Sequence, residues 1–314
     1  MMMTMMILSA HKKRYLDDLI NQKLFHFQHL SVSGIDNESV AKIFSYAMLE
    51  QEICLLANTV HSGDGYCQFL NRRIIDAVQK RESFPVVRFA DGEYAFYNYT
   101  LGCNGLYEQA ESVAAIKDAM PQHISAMKYL EARGLFAPLV FPDNAHVVSE
   151  NFFSFLQKKQ DSSGADFLNF LNAHDISLTP ENYVPFYVVY AYLSSAEFAI
   201  AMNGKNICIL NSEYNKESCR NWFAQFNSCP HLTFLDIPAE YVATRWEENK
   251  KEILNKIPSD TALCLAGAGV GALLVCADVA QTFSIPAIDA GHVLNIMNGR
   301  VDKSNGARLY TLRK

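Results

Sequence analysis

From Asn206 to Asp289 short apolar runs alternate with helical patterns, and this alternation limits the fold more than any other feature of the chain. Asn206–Asn211, Leu232–Ile237, Thr261–Ala266 and Ile285–Asp289 read as strands. The stretch 214–227, Trp246–Ile257 and Val270–Phe283 read as the helices between them. Strands this apolar need cover on both faces, and the intervening helices supply it. The expectation is an α/β fold: a Rossmann-like, mostly parallel sheet flanked by crossover helices.

Upstream the texture differs. Residues 10–80 read as helical, with Asp36 or Asn37 capping one helix and another running from Tyr66 to Lys80. Pro85–Ala90 is a short β-rich run, and a helical middle spans about 108–203. The longest apolar region, Tyr183 to Met202, is interrupted by Ser194, Ser195 and Glu197, so it reads as one or two buried helices and not as a membrane span. The first residues place their basic side chains after a short apolar stretch, the reverse of a secretory signal. The expected division is a helical N-terminal extension over 1–80, a sheet domain over 81–298 and a tail over 299–314.

Charge narrows the function. Lys plus Arg is 27 and Asp plus Glu is 33, a net −6, which disfavours a general nucleic-acid binder. The eight cysteines include no CxxC pair, and several sit inside apolar runs, as expected of a reduced, cytoplasmic protein.

Two constellations carry chemistry. The first is Arg88-Phe89-Ala90-Asp91-Gly92-Glu93 at the end of an apolar strand. In parallel sheets ligands bind beyond the carboxyl ends of strands. If the chain turns at Gly92, Asp91 and Glu93 can converge on a hard divalent cation completed by phosphate and water; the bland alternative is a solvated turn. Arg88 can pair with a phosphate or a carboxylate. The second runs from Leu263 to His292. Gly267-Ala268-Gly269-Val270 links a strand to a helix start, a natural phosphate cradle. Asp289 ends the next strand, at a spacing suited to a ribose hydroxyl, and His292 follows it. Alone, this pattern points to a dinucleotide site or a methyltransferase. A dinucleotide domain, however, opens on such a turn and follows it with several βα units, whereas here one strand follows.

In this order the motifs resemble the bacterial GT-D-type glycosyltransferases, known from serine-rich adhesin glycosylation. The resemblance rests on Val87–Glu93, Leu265–Val270 and Ile288–His292, with Lys205–Leu210 and Phe234–Ala239 similar to intervening strands. It covers about residues 70–295. It implies a GT-D-type fold and transfer of a sugar, hexosyl in type, from a nucleoside-diphosphate sugar, a UDP-sugar favoured, to a hydroxyl acceptor. That acceptor is a glycan, a glycoprotein or a lipid-linked sugar. The implied cofactor is Mn²⁺ or Mg²⁺, with Asp91, Glu93 and His292 at the metal. Asp91, Glu93, Asp289 and His292 would serve catalysis, and Arg88, Gly267, Ala268, Gly269 and Val270 the donor. Ala90 stands where the family has glycine, which demands ordinary backbone angles there. The segment after His292 departs from the family's acidic and aromatic one. Two other functions stay open: another nucleotide- or S-adenosylmethionine-dependent enzyme, and a non-catalytic nucleotide-sugar binder. Neither the helical N-terminus nor any motif decides between a monomer and a homo-oligomer.

Overall fold

The computed structural model describes residues 63–138, 164–179, 181–184 and 186–299. Most of the expected N-terminal extension, its Asp36/Asn37-capped helix included, and the tail from residue 300 lie outside the described residues.

Six strands form one all-parallel sheet in the order β2-β1-β6-β5-β3-β4. They are β1 (Phe84–Phe89), β2 (Leu135–Pro138), β3 (Asn206–Asn211), β4 (His231–Asp236), β5 (Leu263–Gly267) and β6 (Pro286–Asp289). β1 and β6 are buried throughout, as a central strand covered on both faces must be, while β4 is a half-exposed edge. The opposite edge is covered: Phe136 N–H donates to Asn182 O and Val184 N–H to Phe136 O.

The described helices are α1 (Gly63–Lys80), α2 (Asp91–Tyr97), α3 (Val113–Arg133), α4 (Gly164–Ala173), α5 (Phe186–Leu193), α6 (Ala196–Ala201), α7 (Lys216–Ala224), α8 (Val242–Lys256), α9 (Ala272–Phe283) and α10 (Gly291–Met297). α9 packs on β1, β5 and β6 and against α3 and α8. α1 packs on α5 and β6, and its Phe69, Leu70 and Ile74 belong to the same apolar core as the sheet. At the α3–β2 junction a Cβ on Gly134 would collide with the Pro85 carbonyl, which is why the chain can turn from helix to strand so close to β1. His123 of α3 is fully buried: its Nδ1 bonds the Tyr97 hydroxyl at 3.0 Å and its Nε2 the Ala243 carbonyl at 2.8 Å. Burial pushes its pKa down to about 4, so the ring is a neutral tie between α2, α3 and α8.

Two elements differ from expectation. β2 lies inside the stretch read as helical, and Asp91-Gly92-Glu93 is the first turn of α2, not a sharp turn at Gly92. No helix among the described residues is long and apolar enough to cross a membrane.

The connectivity creates a crevice. β3 leads to β4 in one direction along the sheet and β5 leads to β6 in the other. Right-handed crossovers then place the two connecting helices on opposite faces. Between the carboxyl ends of β3 and β5 the sheet opens, which is where ligands bind in such folds.

Candidate active site

The carboxyl ends of β1, β6, β5 and β3 border one cleft of about 530 Å³. It gathers both sequence constellations: Arg88, Asp91 and Glu93 from one side, Gly267–Val270, Asp289 and His292 from the other. It also brings in residues that no sequence pattern marked, among them Gln109, Tyr190, Asn211 and Glu213.

The floor is an ion pair. Arg88 Nη2 donates to Asp289 Oδ1 at 2.8 Å, Nε to the Asp289 carbonyl at 3.0 Å, and the Arg88 N–H to Oδ2 at 3.3 Å. Both residues are buried. The guanidinium carbon lies 4.5 Å from the Tyr190 ring centre and 5.3 Å from that of Phe186. Burial by itself would lower the guanidinium pKa, but the Asp289 charge outweighs it and holds the value above the usual arginine range. Gly291 makes the contact possible: its φ is +38°, and a Cβ there would collide with Arg88 Nη2. Of the two partners expected for Arg88, the structure gives it a carboxylate. Both Asp289 oxygens are thereby engaged, and the carboxylate expected to meet a ribose is held by arginine instead.

Asp91 and Glu93 occupy the first turn of α2, where negative charge is favourable to the helix. Ala90, which precedes the helix, has φ −138°, an extended angle that needs no glycine. Its N–H donates to Glu93 Oε2 at 2.9 Å. Burial, reinforced by the charge of Asp289, pushes Glu93 up to about 7; the Ala90 N–H and Arg88 pull the other way. His292 is exposed at the start of α10, its ring nearly parallel to that of Tyr190 with centres 6.5 Å apart.

The raised Glu93 value has a sign that can be checked. A carboxyl whose pKa rises on folding stabilises the fold fully below its unfolded value, near 4.5, and that contribution is lost as pH climbs toward 7. Glu93→Gln keeps the acceptor for Ala90 and removes the charge. In metal-free buffer it should melt with wild type at pH 4 and be more stable at pH 8, by about 2 kcal/mol after allowance for partial solvent screening. A stability difference that does not change across this pH range would contradict the assignment.

The glycine-rich turn is not the open cradle expected. Val270 N–H donates to Gln109 Oε1 at 2.9 Å, and Gln109 Nε2 donates to the Tyr107 carbonyl at 2.9 Å. Gly269, at φ +54°, is required because a Cβ would strike Gln109 Oε1. The segment carrying Gln109 is fastened on its other side to α8: Tyr241 N–H bonds the Glu108 carbonyl, the Tyr241 hydroxyl bonds Glu108, and Thr244 and Arg245 bond Glu111. Arg245 is thus a partner of Glu111. Tyr94, Tyr97 and Trp246 are buried in the core and do not present stacking faces to a ligand.

A divalent cation can be tested against this donor set. Among the described residues no three His, Cys, Asp or Glu side chains group as a metal site. Asp91 and Glu93 nonetheless line the same cleft with hard oxygen donors, and Glu93 carries a charge that its surroundings disfavour. Mg²⁺ and Mn²⁺ commonly bind through one or two carboxylates, with substrate phosphates and water completing the shell. The residues fit a cation of that kind and not an all-protein cage.

Solved structures of domain of unknown function 1792 are similar to this chain. A selenomethionine-substituted one is 16% identical, with TM-score 0.46, and the match covers 77% of this chain and 88% of that one. A glycosyltransferase of this domain type from Streptococcus sanguinis is 15% identical, with TM-score 0.46, and the match covers 74% and 85%. A third, described as having a distinct glycosyltransferase fold, is 16% identical at TM-score 0.46 over 77% and 88%. They are domains of the type that the sequence motifs resemble. With TM-scores of 0.46 and identities of 15–16% these likenesses carry no argument about this chain, and its chemistry has to be argued from the cleft. No family model matches the chain, and no curated protein matches it.

Proposed function

We propose that this chain is a glycosyltransferase that moves a hexosyl group from a nucleoside-diphosphate sugar, a UDP-sugar first, to a hydroxyl acceptor on a glycan, glycoprotein or lipid-linked sugar. The observation that carries the proposal is the convergence of Asp91, Glu93, the Gly267–Val270 turn and His292 on one cleft at the carboxyl ends of parallel strands. Asp91 and Glu93 would hold Mn²⁺ or Mg²⁺, which when bound supplies positive charge for the departing diphosphate. The protein's own part is positional. The Arg88–Asp289 pair fixes the floor, and the turn after β5 sets the backbone that the donor approaches. His292, exposed at the cleft, is the group placed to take the acceptor's proton. Cys103, Cys208, Cys219, Cys229, Cys264 and Cys276 are free thiols, which fits a reducing, cytoplasmic setting.

A dinucleotide or S-adenosylmethionine enzyme would rely on the glycine-rich turn for its donors. The Val270 N–H is already spoken for by Gln109, and Asp289 by Arg88, so that function loses two of its expected contacts. Thermal melting separates the cases. UDP, GDP, UDP-glucose, NAD and S-adenosylmethionine are each tested with Mn²⁺ and with EDTA. A ligand at 100 times its Kd adds about 2.7 kcal/mol of stability. The expected result is a shift with a nucleoside diphosphate that needs Mn²⁺ or Mg²⁺. A metal-independent shift with NAD or S-adenosylmethionine alone would overturn the proposal.

A further inference from the structure

Glu213 lies two residues beyond the end of β3, at the crevice where the sheet connections diverge, and it is exposed along the cleft wall. Its backbone is held with unusual firmness for a loop residue. Asn211 Nδ2 donates to the Glu213 carbonyl at 2.7 Å, and Asn298 Nδ2 donates to the same carbonyl at 2.9 Å. The clamp is itself braced: Asn211 Oδ1 accepts from Ser212 N–H at 3.0 Å, and Asn298 Oδ1 accepts from Asn215 N–H at 2.9 Å. Asn211 and Asn298 are both buried. The end of β5 is built to the same contact, since a Cβ on Gly267 would lie 2.9 Å from Asn211 Oδ1. Two amide side chains, one from the last residue of β3 and one from the residue that caps α10, therefore fix the backbone of one exposed glutamate beside the glycine-rich turn.

A ribose offers a pair of hydroxyl donors, which a carboxylate accepts well, and in doubly wound sheets an acidic residue on a strand next to the glycine-rich turn does this work. β5 has two neighbours, β6 and β3. On β6 the acid is Asp289, and it is committed to Arg88. On β3 it is Glu213. We propose that Glu213 receives the 2′- and 3′-hydroxyls of the nucleoside, so that the nucleoside end of the donor lies over β3 and β5 and the diphosphate points toward Asp91 and Glu93. This assignment rests on the glycosyltransferase function proposed above and specifies its donor as a ribonucleotide.

The test is isothermal titration calorimetry with Mn²⁺ present, using UDP against 2′-deoxy-UDP, and GDP, ADP and CDP against their 2′-deoxy forms. The proteins are wild type, Glu213→Gln and Glu213→Ala. Neither substitution touches the clamped carbonyl, and an unchanged melting temperature without ligand confirms that each variant folds. Loss of one hydrogen bond to a charged group should make wild type prefer the ribonucleotide by about 10- to 100-fold. In Glu213→Ala the ribonucleotide and its deoxy form should bind alike, both more weakly than to wild type, with the smaller loss for the deoxy form, which gives up only the bond from its 3′-hydroxyl. Equal affinities in wild type, or a preference that survives in Glu213→Ala, would overturn the assignment and leave the transferase function standing. Absence of binding by all four ribonucleotides to wild type would overturn both.

Discussion

Replacing Asp289 by alanine is expected to destabilise the protein by about 3–5 kcal/mol, because it strands the charge of Arg88 in the interior. For a domain of this size that lowers the melting temperature by about 10 °C. Arg88 is buried, and its guanidinium is flanked by Phe186 and Tyr190, so water cannot replace the lost carboxylate without unpacking those rings. The prediction is specific to the pair and not to the position. Arg88→Met alone should also be costly, and Arg88→Met with Asp289→Asn should cost less than the sum of the two, since the uncompensated charge is gone. A double-mutant cycle by thermal melting measures this directly. Additivity within about 0.5 kcal/mol would mean that the two side chains are independent.

The second large effect is on turnover. Asp91→Ala/Glu93→Ala should reduce kcat/KM for sugar transfer by about 1,000-fold or more, as loss of a group that stabilises developing charge does. EDTA should have a comparable effect on wild type and little further effect on the variant. The fold should survive. Asp91 and Glu93 sit at the cleft surface of α2, and the loss of the Glu93 bond to the Ala90 N–H is a capping loss of about 1 kcal/mol. Release of nucleoside diphosphate in a coupled assay provides the readout. A variant with activity within threefold of wild type would remove the two carboxylates from the mechanism.

Much of the architecture could be read from residue patterns. β3, β4, β5 and β6 are apolar runs bounded by turn residues, and the covering of most of them on both faces is what makes them apolar throughout. β2 escaped because Leu-Phe-Ala-Pro is four residues long and follows a 21-residue helix, with no room for a period of two to declare itself. Asp91-Gly92-Glu93 resembled a turn because Asp-Gly usually is one; that it begins a helix depends on the extended Ala90 and on Glu93 folding back onto it. α10 carries too little periodicity in seven residues to stand out.

The site was legible in its residues more than in their partnerships. Each motif residue was found at the end of its strand. Which carboxylate Arg88 meets, however, follows from β1 lying beside β6, and strand order is not written in local sequence. Gln109 was beyond reach for the same reason: nothing near it in sequence shows that its side chain ends at a glycine-rich turn 161 positions away. Glu213 lacked any motif, and its place emerged only when the sheet connections and the Asn211 and Asn298 amides were seen together.

The adjacency of β1 and β6 also bears on how the molecule is made. Arg88 waits for a partner 201 residues further along the chain, and β1 has its inner neighbour only when β6 exists. During synthesis β1 and β2 leave the ribosome early, yet the middle of the sheet closes last, by insertion of a strand that arrives after β3, β4 and β5. Long-range closure of this kind is slow, and until it happens an apolar strand edge stays open to other chains. The same closing step brings Asp289 to Arg88 and Gly291 beneath it. A nascent chain that stops short of β6 therefore has neither a finished sheet nor the Arg88–Asp289 floor of the cleft.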